Sequence, residues 1–356
     1  MGRLEKLKPI EVKVRLEDYI HFLLGEKKTG KSTMFRDLIH KHYNGDMSKG
    51  ILFGFEPGQN ALDGLYSPQV EDWEDWEDWV DELVEERIKT TFRMVGIDTV
   101  DEFLAMAEDK TMRDSKKKDG KTIESINGAF GGFGRGKKYC INLMRESILK
   151  LKRAGYGLCF IAHTKLKKKN TGAVLSSEEE YMQLSCALTD DYAGLFENMA
   201  DMITYLVVDK TVIGDGDDVK HKTARRSVSM HFRSDGEIDC GGRFKELPYS
   251  LPYSVDNYLK AFEQGVKSSI LKPVTDEDIQ EMAKKQEIES EKQAEEKTRK
   301  LTIEEMVNTI KQKFGELGDG AKLKMQEYVE ETQVSSLDEL TEDHRNTIEQ
   351  MYKLVL

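Results

Sequence analysis

The chain has 356 residues with a mass of 40.8 kDa; 38% are hydrophobic, 34% are charged, and the formal net charge at pH 7 is -12. The apolar content is enough for packed cores in about two domains, and no stretch approaches the roughly 18 uncharged apolar residues of a transmembrane helix. The acids are concentrated in residues 56–86 and 265–356. The remainder is mildly basic, so the negative net charge does not exclude a nucleic-acid partner.

The first predicted elements follow the order strand, glycine-rich loop, helix. Residues 19–24 predict a short buried strand, and residues 33–43 carry apolar side chains at helical spacing. Between them, GEKKTGKS matches G-x-x-x-x-G-K-[ST], in which backbone N–H groups of the loop and helix form an anion site. Lys31 would bind the β- and γ-phosphates of ATP, and the Ser32 hydroxyl would ligate Mg²⁺. The predicted nucleotide-binding residues are Gly25, Glu26, Lys27, Lys28, Thr29, Gly30, Lys31, Ser32 and Thr33.

Two further strands end in acids that ATP hydrolysis would use. The apolar segments ILFGF and FRMVGI predict buried strands, and Asp98 follows the second of them. Asp98 is the predicted ligand of Mg²⁺, held through water. Glu56, at the end of the first segment, is the preferred candidate for the acid that activates water, because neighbouring strand ends meet at one crevice. Asp101 and Glu102 are the alternatives.

The sequence Glu-Asp-Trp occurs three times in residues 71–79. Trp73, Trp76 and Trp79 fall on neighbouring positions of a helix. The preferred interpretation is an apolar stripe that packs on the domain, and a ridge that binds a partner is the alternative.

A basic segment, residues 110–138, lies between Asp98 and a helix predicted at residues 139–152. It has nine Lys or Arg residues against three acids and ends in GGFGRGKK. A flexible backbone, cations and one aromatic side chain suit a groove for single-stranded nucleic acid; a plain surface loop is the alternative. The cations predicted to bind DNA here are Lys116, Lys117, Lys118, Arg135, Lys137 and Lys138.

A fourth predicted strand, GLCFIA, ends at His163 and is followed by a run of lysines. His163 is predicted to sense the γ-phosphate of ATP, and a hydrogen-bonded strand-end histidine is the alternative. The lysine run is predicted to be a loop that switches with the nucleotide and binds phosphates, with a solvated loop as the alternative. The cations predicted to bind DNA here are Lys165, Lys167, Lys168 and Lys169.

Later segments complete an α/β pattern. Residues 202–208 predict a fifth strand, and residues 225–233 a half-exposed strand of a hairpin. Strands that alternate with helices imply a mostly parallel sheet covered on both faces. We divide the chain into a core, 1–264, a charged helical linker, 265–302, and a small helical region, 303–356. The four cysteines are far apart, and this spacing favours a reducing cytoplasm.

The order of these parts resembles the RecA-like core of P-loop ATPases. More closely, it is similar to the phage AAA-family ATPases that include the Sak-type single-strand annealing proteins. The resemblance covers roughly residues 15–264, and the sequences that carry it are GEKKTGKST, GIDTVDEF, GFGRGKKY and GLCFIAHTK. It implies ATP bound between adjacent protomers of a ring or filament on single-stranded DNA. The function that the resemblance implies is recombination, annealing or replication of DNA in the host bacterial cytoplasm.

The resemblance also assigns roles to single residues. Glu56 matches the catalytic glutamate, Asp98 the magnesium aspartate, and His163 the polar residue that senses the γ-phosphate. Arg243, in GGRFKELP, stands where a late basic element reaches a neighbour's ATP; an ordinary surface arginine is the alternative.

Two other functions compete with an ATPase that acts on single-stranded DNA. The acidic C-terminal region and the Trp repeat favour a helicase-loader-like or motor ATPase that acts on a protein partner. A nucleotide-gated binding module with negligible turnover is the second. The acidic region after residue 264 is predicted to dock a single-strand-binding protein or to cover the DNA groove, and no membrane partner is expected.

Overall fold

The computed structural model describes residues 9–55, 58, 61–120, 122–170, 180–213, 223–298, 303–332, 334 and 336–355. Contacts divide the chain into two compact units, residues 1–297 and 298–356. A compact unit is not the same as a functional domain, so the predicted boundaries at 264 and 302 stay predictions. Within the described ranges, every helix is too short or too polar to span a membrane.

The first unit is built on one sheet. Its strands are β1 (Ile20–Gly25), β2 (Gly50–Gly54), β3 (Met94–Asp98), β4 (Gly157–Asn170), β5 (Glu180–Cys186), β6 (Met202–Ile213), β7 (Thr223–His231), β8 (Gly241–Gly242) and β9 (Ser250–Pro252). The strand order is β2-β3-β4-β1-β6-β7-β9. The five strands from β2 to β6 in this order pair in parallel, and β7 and β9 continue the sheet antiparallel. β5 pairs antiparallel with β4, and β8 with β6.

Some of the helices cover both faces of this sheet, and the others form the second unit. They are α1 (Lys31–His42), α2 (Trp73–Glu85), α3 (Val100–Asp119), α4 (Arg135–Ala154), α5 (Asp190–Met199), α6 (Val255–Ser269), α7 (Asp276–Thr298), α8 (Ile303–Lys313), α9 (Asp319–Thr332) and α10 (Arg345–Val355).

Burial on both faces explains why the first strands are visible in the sequence. β1, β2 and β3 are buried at every residue, so they appear as continuous apolar runs. Alternate side chains enter different cores. Phe22 and Leu24 pack with α2 to α5, whereas Leu23 packs with α1 and α6.

The Trp repeat lies in α2 and faces the core. Trp73 and Trp76 are fully buried, with Trp76 5.1 Å from the ring of Phe53 and Trp73 stacked 5.3 Å from Phe103. Steps of three residues keep these rings on one face of the helix. The interpretation as an apolar stripe is therefore confirmed.

Two segments predicted as loops have regular secondary structure. Residues 110–119 belong to α3, so Lys116, Lys117 and Lys118 stand on the last turn of a helix. Residues 165–169 belong to β4 and pair with β5, which makes a hairpin rather than a loop. This part of β4 has few apolar side chains, and its strand character depends on pairing with residues farther along the chain.

The segment after residue 264 also contributes to the first unit. Val266 of α6 is buried in the core beside α1. Gln286 of α7 is buried; its Oε1 accepts the N–H of Val14 and its Nε2 donates to the carbonyl of Val12, both at 2.9 Å. In the second unit, the helices surround the apolar side chains of Ile310, Ile348 and Met351, as predicted for a small helical region.

Candidate nucleotide-binding site

The glycine-rich loop after β1 is held tightly by its own contacts. A Cβ on Gly25 would lie 2.7 Å from Thr29 Oγ1 and 2.8 Å from the carbonyl of Leu206, so only glycine fits there. Thr29 Oγ1 donates to the carbonyl of Glu26 at 2.9 Å. Gly30 caps α1 with a φ of +93°, a conformation that favours glycine. The sequence thus builds a compact turn that aims the start of α1 at the carboxyl edge of the sheet.

Lys31 lies against this loop. Its Nζ donates to the carbonyls of Gly25 and Glu26, at 2.9 Å each, and the residue is 6% exposed. An ammonium group beside a helix N-terminus adds full charge to an anion site that backbone N–H groups already favour. To bind a phosphate, the ammonium would turn at least one of its three N–H donors towards a phosphate oxygen.

Ser32 and Asp98 bring two oxygen donors together. Ser32 Oγ donates to Asp98 Oδ2 at 2.5 Å, although the residues are far apart in the sequence. Asp98 ends β3 and is buried. A hydroxyl and a carboxylate are the hard oxygen ligands that Mg²⁺ prefers beside nucleotide phosphates, so this pair fits the predicted metal. Bound there, Mg²⁺ would neutralise charge on the phosphate oxygens.

These residues line a cavity of about 510 Å³ at the carboxyl edge of the sheet. That volume lies within the roughly 300–1,000 Å³ of small-molecule sites. Besides residues 27–33, the cavity is lined by Gly58, Ala61, Leu62, Asp98, Thr99 and His163.

His163 borders the cavity and is held by Asp101. The parallel register places His163 opposite Gly25. Asp101 Oδ2 accepts the backbone N–H of His163 at 3.1 Å and lies 3.4 Å from its ring Nδ1. The first turn of α3 is therefore bonded to β4 at the point where β4 leaves the cavity.

Of the three candidates for the acid that activates water, two lie on α3 and one lies outside the described residues. Glu56 lies outside the described residues, but Gly54, two positions before it, pairs with Asp98. Glu102 is exposed on α3, and Asp101 is bonded to β4. Because Asp98 lines the cavity, its pairing with Gly54 places the end of β2 at the cavity edge. The catalytic role of Glu56 stays a prediction.

Arg243 lies away from this cavity. Its Nη1 is 3.0 Å from Asp201 Oδ1, and the other oxygen of Asp201 accepts the N–H of Ile20 at 2.8 Å. Ile20 begins β1, whereas the phosphate loop follows the end of β1. Arg243 is therefore at the opposite edge of the sheet from the nucleotide cavity of its own chain, and its role towards a neighbour's ATP stays a prediction.

The two predicted basic elements meet at the start of α5. Lys167 Nζ is 2.7 Å from Asp190 Oδ1, and Lys169 Nζ is 3.4 Å from Asp190 Oδ2. Lys137, at the start of α4, is 2.7 Å from Asp191 Oδ2. The hydrogen bond from Lys167 lowers the pKa of Asp190. Consecutive aspartates at the start of α5 thus connect the β4–β5 hairpin with the start of α4.

The glycine-rich turn before α4 presents an aromatic side chain to solvent. Phe133 is 98% exposed and has a φ of +53° between glycines that also have positive φ. Nearby, the rings of Phe130 and Tyr139 lie 4.7 Å apart, and Lys118 Nζ lies 5.7 Å from the ring of Phe130. Predicted DNA-binding residues with exposed side chains are Lys116, Lys117, Lys118, Arg135, Lys138, Lys165 and Lys168.

A phosphate loop between a strand and a helix, at the carboxyl edge of a mostly parallel sheet, defines the class of P-loop NTPases. The sequence model of a family described as the AAA domain matches residues 17–243, more than half of the chain. The chain therefore belongs to the AAA domain family, which indicates ATP binding and hydrolysis. No curated protein matches the chain. The predicted α/β fold is confirmed.

Three residues that the sequence did not single out for these positions contact the site or the basic elements. Asp190 and Asp191 bind the lysines described above, and the Tyr253 hydroxyl bonds to Gly30, 223 positions earlier. A spacing of this kind leaves no local pattern in the sequence.

Proposed function

We propose that the protein hydrolyses ATP with Mg²⁺ and uses this cycle to control its binding to single-stranded DNA in phage recombination, annealing or replication. One observation carries the proposal: β4 runs without interruption from the nucleotide cavity into the basic hairpin. His163 lies opposite Gly25, and Lys165 follows two residues later. A displacement of His163 by the γ-phosphate would pass along this paired strand to the hairpin.

In this proposal, residues of the cavity and Glu56 divide the chemistry between them. The N–H groups of the loop and Lys31 hold the phosphates, and Ser32 and Asp98 hold Mg²⁺. Glu56 accepts a proton from the attacking water, so that ATP and water give ADP and phosphate. His163 responds to the presence of the γ-phosphate.

The exposed side chains support the choice of single-stranded DNA. A base can stack on the fully exposed ring of Phe133, and such stacking is worth about 1–3 kcal/mol. Exposed lysines on α3 and the hairpin supply cations for the DNA phosphates. Copies of the chain along DNA would form a ring or filament, in which Arg243 leaves Asp201 to reach a neighbour's ATP. The acidic region after residue 264 would dock a single-strand-binding protein.

Steady-state ATP hydrolysis with and without single-stranded DNA tests the proposal. We expect DNA to stimulate hydrolysis, and we expect Lys31→Ala and Glu56→Gln to abolish it. Glu56→Gln should keep ATP binding, because only the proton acceptor is lost. Turnover that ignores DNA would refute the DNA part, and stimulation by a protein partner instead would favour the loader-like alternative. Wild-type turnover retained by Glu56→Gln would refute its catalytic role.

Phe133→Ala tests the DNA surface directly. Loss of one stacked base should weaken binding of an oligonucleotide by roughly 5- to 150-fold, measured by fluorescence anisotropy. Leu271→Ala is the matched control, because Leu271 is also a fully exposed apolar side chain but lies beyond α6. An equal effect of both substitutions, or none of Phe133→Ala, would contradict a stacking role.

A further inference from the structure

A tyrosine that directly follows β9 is bonded to the phosphate loop. The Tyr253 hydroxyl donates to the carbonyl of Gly30 at 2.9 Å. The same carbonyl accepts the N–H of Met34 at 2.8 Å, the first hydrogen bond of α1. Tyr253 lies after residue 243 and so outside the segment that matches the AAA domain. The phosphate loop is therefore held by a residue that this chain supplies from beyond the matched segment.

The bonded carbonyl belongs to a peptide that would face the nucleotide. The carbonyl of Gly30 and the N–H of Lys31 are in one planar peptide unit and point in opposite directions. The N–H of Lys31 is at the first position of α1, and the N–H groups at a helix N-terminus form a site for anions. Fixing the carbonyl on Tyr253 therefore fixes the direction in which this N–H points.

Tyr253 is itself firmly positioned. Its backbone N–H donates to the carbonyl of Val228 in β7 at 3.0 Å. Directly after it, Ser254 caps α6, and Asp256 of α6 lies 3.0 Å from Lys41 of α1. Burial raises the pKa of Tyr253 to about 12, so its hydroxyl stays protonated and remains a donor at neutral pH.

The contact also gives a second reason for glycine at position 30. A Cβ there would lie 2.7 Å from the Tyr253 hydroxyl oxygen and 3.1 Å from the ring carbon that bears it. The positive φ alone favours glycine, but the close approach of the tyrosine would exclude a larger side chain independently. Gly30 and Tyr253 thus fit together as a pair.

We infer that Tyr253 is a positioning residue for ATP binding, which sets the orientation of the Gly30–Lys31 peptide so that its N–H points at a phosphate. The inference rests on the ATP-binding part of the proposed function and is independent of DNA. Because the loop holds phosphates that ADP shares with ATP, both nucleotides depend on this orientation.

Tyr253→Phe removes the hydroxyl and keeps the ring against Gly30. Titration calorimetry on the full chain with Mg²⁺ and ATP or ADP should show dissociation constants raised about 2- to 10-fold, the effect of one hydrogen bond. In steady-state hydrolysis, KM should rise by a larger factor than kcat falls. Thermal unfolding should stay close to that of the wild type, since Met34 still bonds to the Gly30 carbonyl.

Tyr249→Phe is the matched control. Tyr249 is exposed, lies four residues before Tyr253, and donates its hydroxyl to Asp235. We expect wild-type nucleotide affinity for this variant. Unchanged affinity in Tyr253→Phe, an equal loss in both variants, or a fall in kcat alone would overturn the inference. Absence of ATP binding by the wild type would instead overturn the proposed function, and the inference with it.

Discussion

Replacing Asp101 with asparagine separates two roles that an acid can have at the edge of the nucleotide cavity. As a general base, Asp101 would take a proton from water during hydrolysis. As a structural acceptor, it holds β4 through the N–H and ring of His163. Asparagine keeps one acceptor oxygen of the same shape but loses the charge and the basicity.

The expected cost follows from the contact. Net contributions are about 1.5–3 kcal/mol for hydrogen bonds to charged groups and about 0.5–1.5 kcal/mol for neutral ones. The side chains of Asp101 and His163 are only 22% and 18% exposed, so solvent screens the carboxylate little. We therefore expect Asp101→Asn to cost about 1 kcal/mol of unfolding free energy. In a unit of this size, that lowers Tm by roughly 2–4 °C.

Phosphate release and thermal unfolding, measured on the same preparations, check this expectation. Asp101→Asn should lower Tm, keep hydrolysis within about 10-fold of the wild type, and reduce stimulation by DNA, because the attachment of β4 to α3 is weakened. Glu102→Gln is the matched control: Glu102 is the next residue, is exposed, and should change neither quantity. A loss of hydrolysis of about 100-fold or more with unchanged Tm would refute the reasoning, since general bases contribute roughly 10²–10⁴-fold.

Three further predictions concern stability and the basic hairpin. Burial raises the pKa of Glu17, but a hydrogen bond with His42 and nearby charge lower it to about 2. The ionised carboxylate therefore contributes about 3 kcal/mol to the free energy of unfolding above pH 4.5, and this contribution is lost as the pH falls towards 2. Glu17→Gln should make the free energy of unfolding less dependent on pH in this range. Trp76→Ala should cost about 3–5 kcal/mol in urea unfolding, because the ring is fully buried. Lys168→Ala should weaken DNA binding and reduce the salt slope by about 1, and Lys167→Ala should do the same and also lower Tm, because Lys167 Nζ donates to the carbonyl of Leu188 as well.

The phosphate site could be predicted from the sequence because its signals are local. The loop Gly25–Ser32 is contiguous, and a buried strand precedes it as an apolar run. Asp98 was predictable for the same reason, since it ends a strand buried on both faces. Such signals need no knowledge of distant partners.

The hairpin and the supports of the site were not predictable in this way. Whether Lys165 to Lys169 form a strand depends on residues 181–185, which pair with them antiparallel. Once they do, alternate side chains point to opposite faces, so Lys167 and Lys169 turn towards Asp190 while Lys168 does not share their face. The sequence shows only a run of lysines and does not indicate which of them face Asp190.

The aspartates at the start of α5 orient these lysines without blocking them. The side chains of Asp190 and Asp191 are 72% and 65% exposed, and ion pairs as open as these contribute about 0–1 kcal/mol. Phosphates that engage several cations together release counterions and gain considerably more than this. DNA would therefore displace the carboxylates at small cost, while in its absence they keep the hairpin and the start of α4 beside each other. Under the proposed function, both basic elements would then already be arranged for one strand of DNA when a change at His163 moves β4.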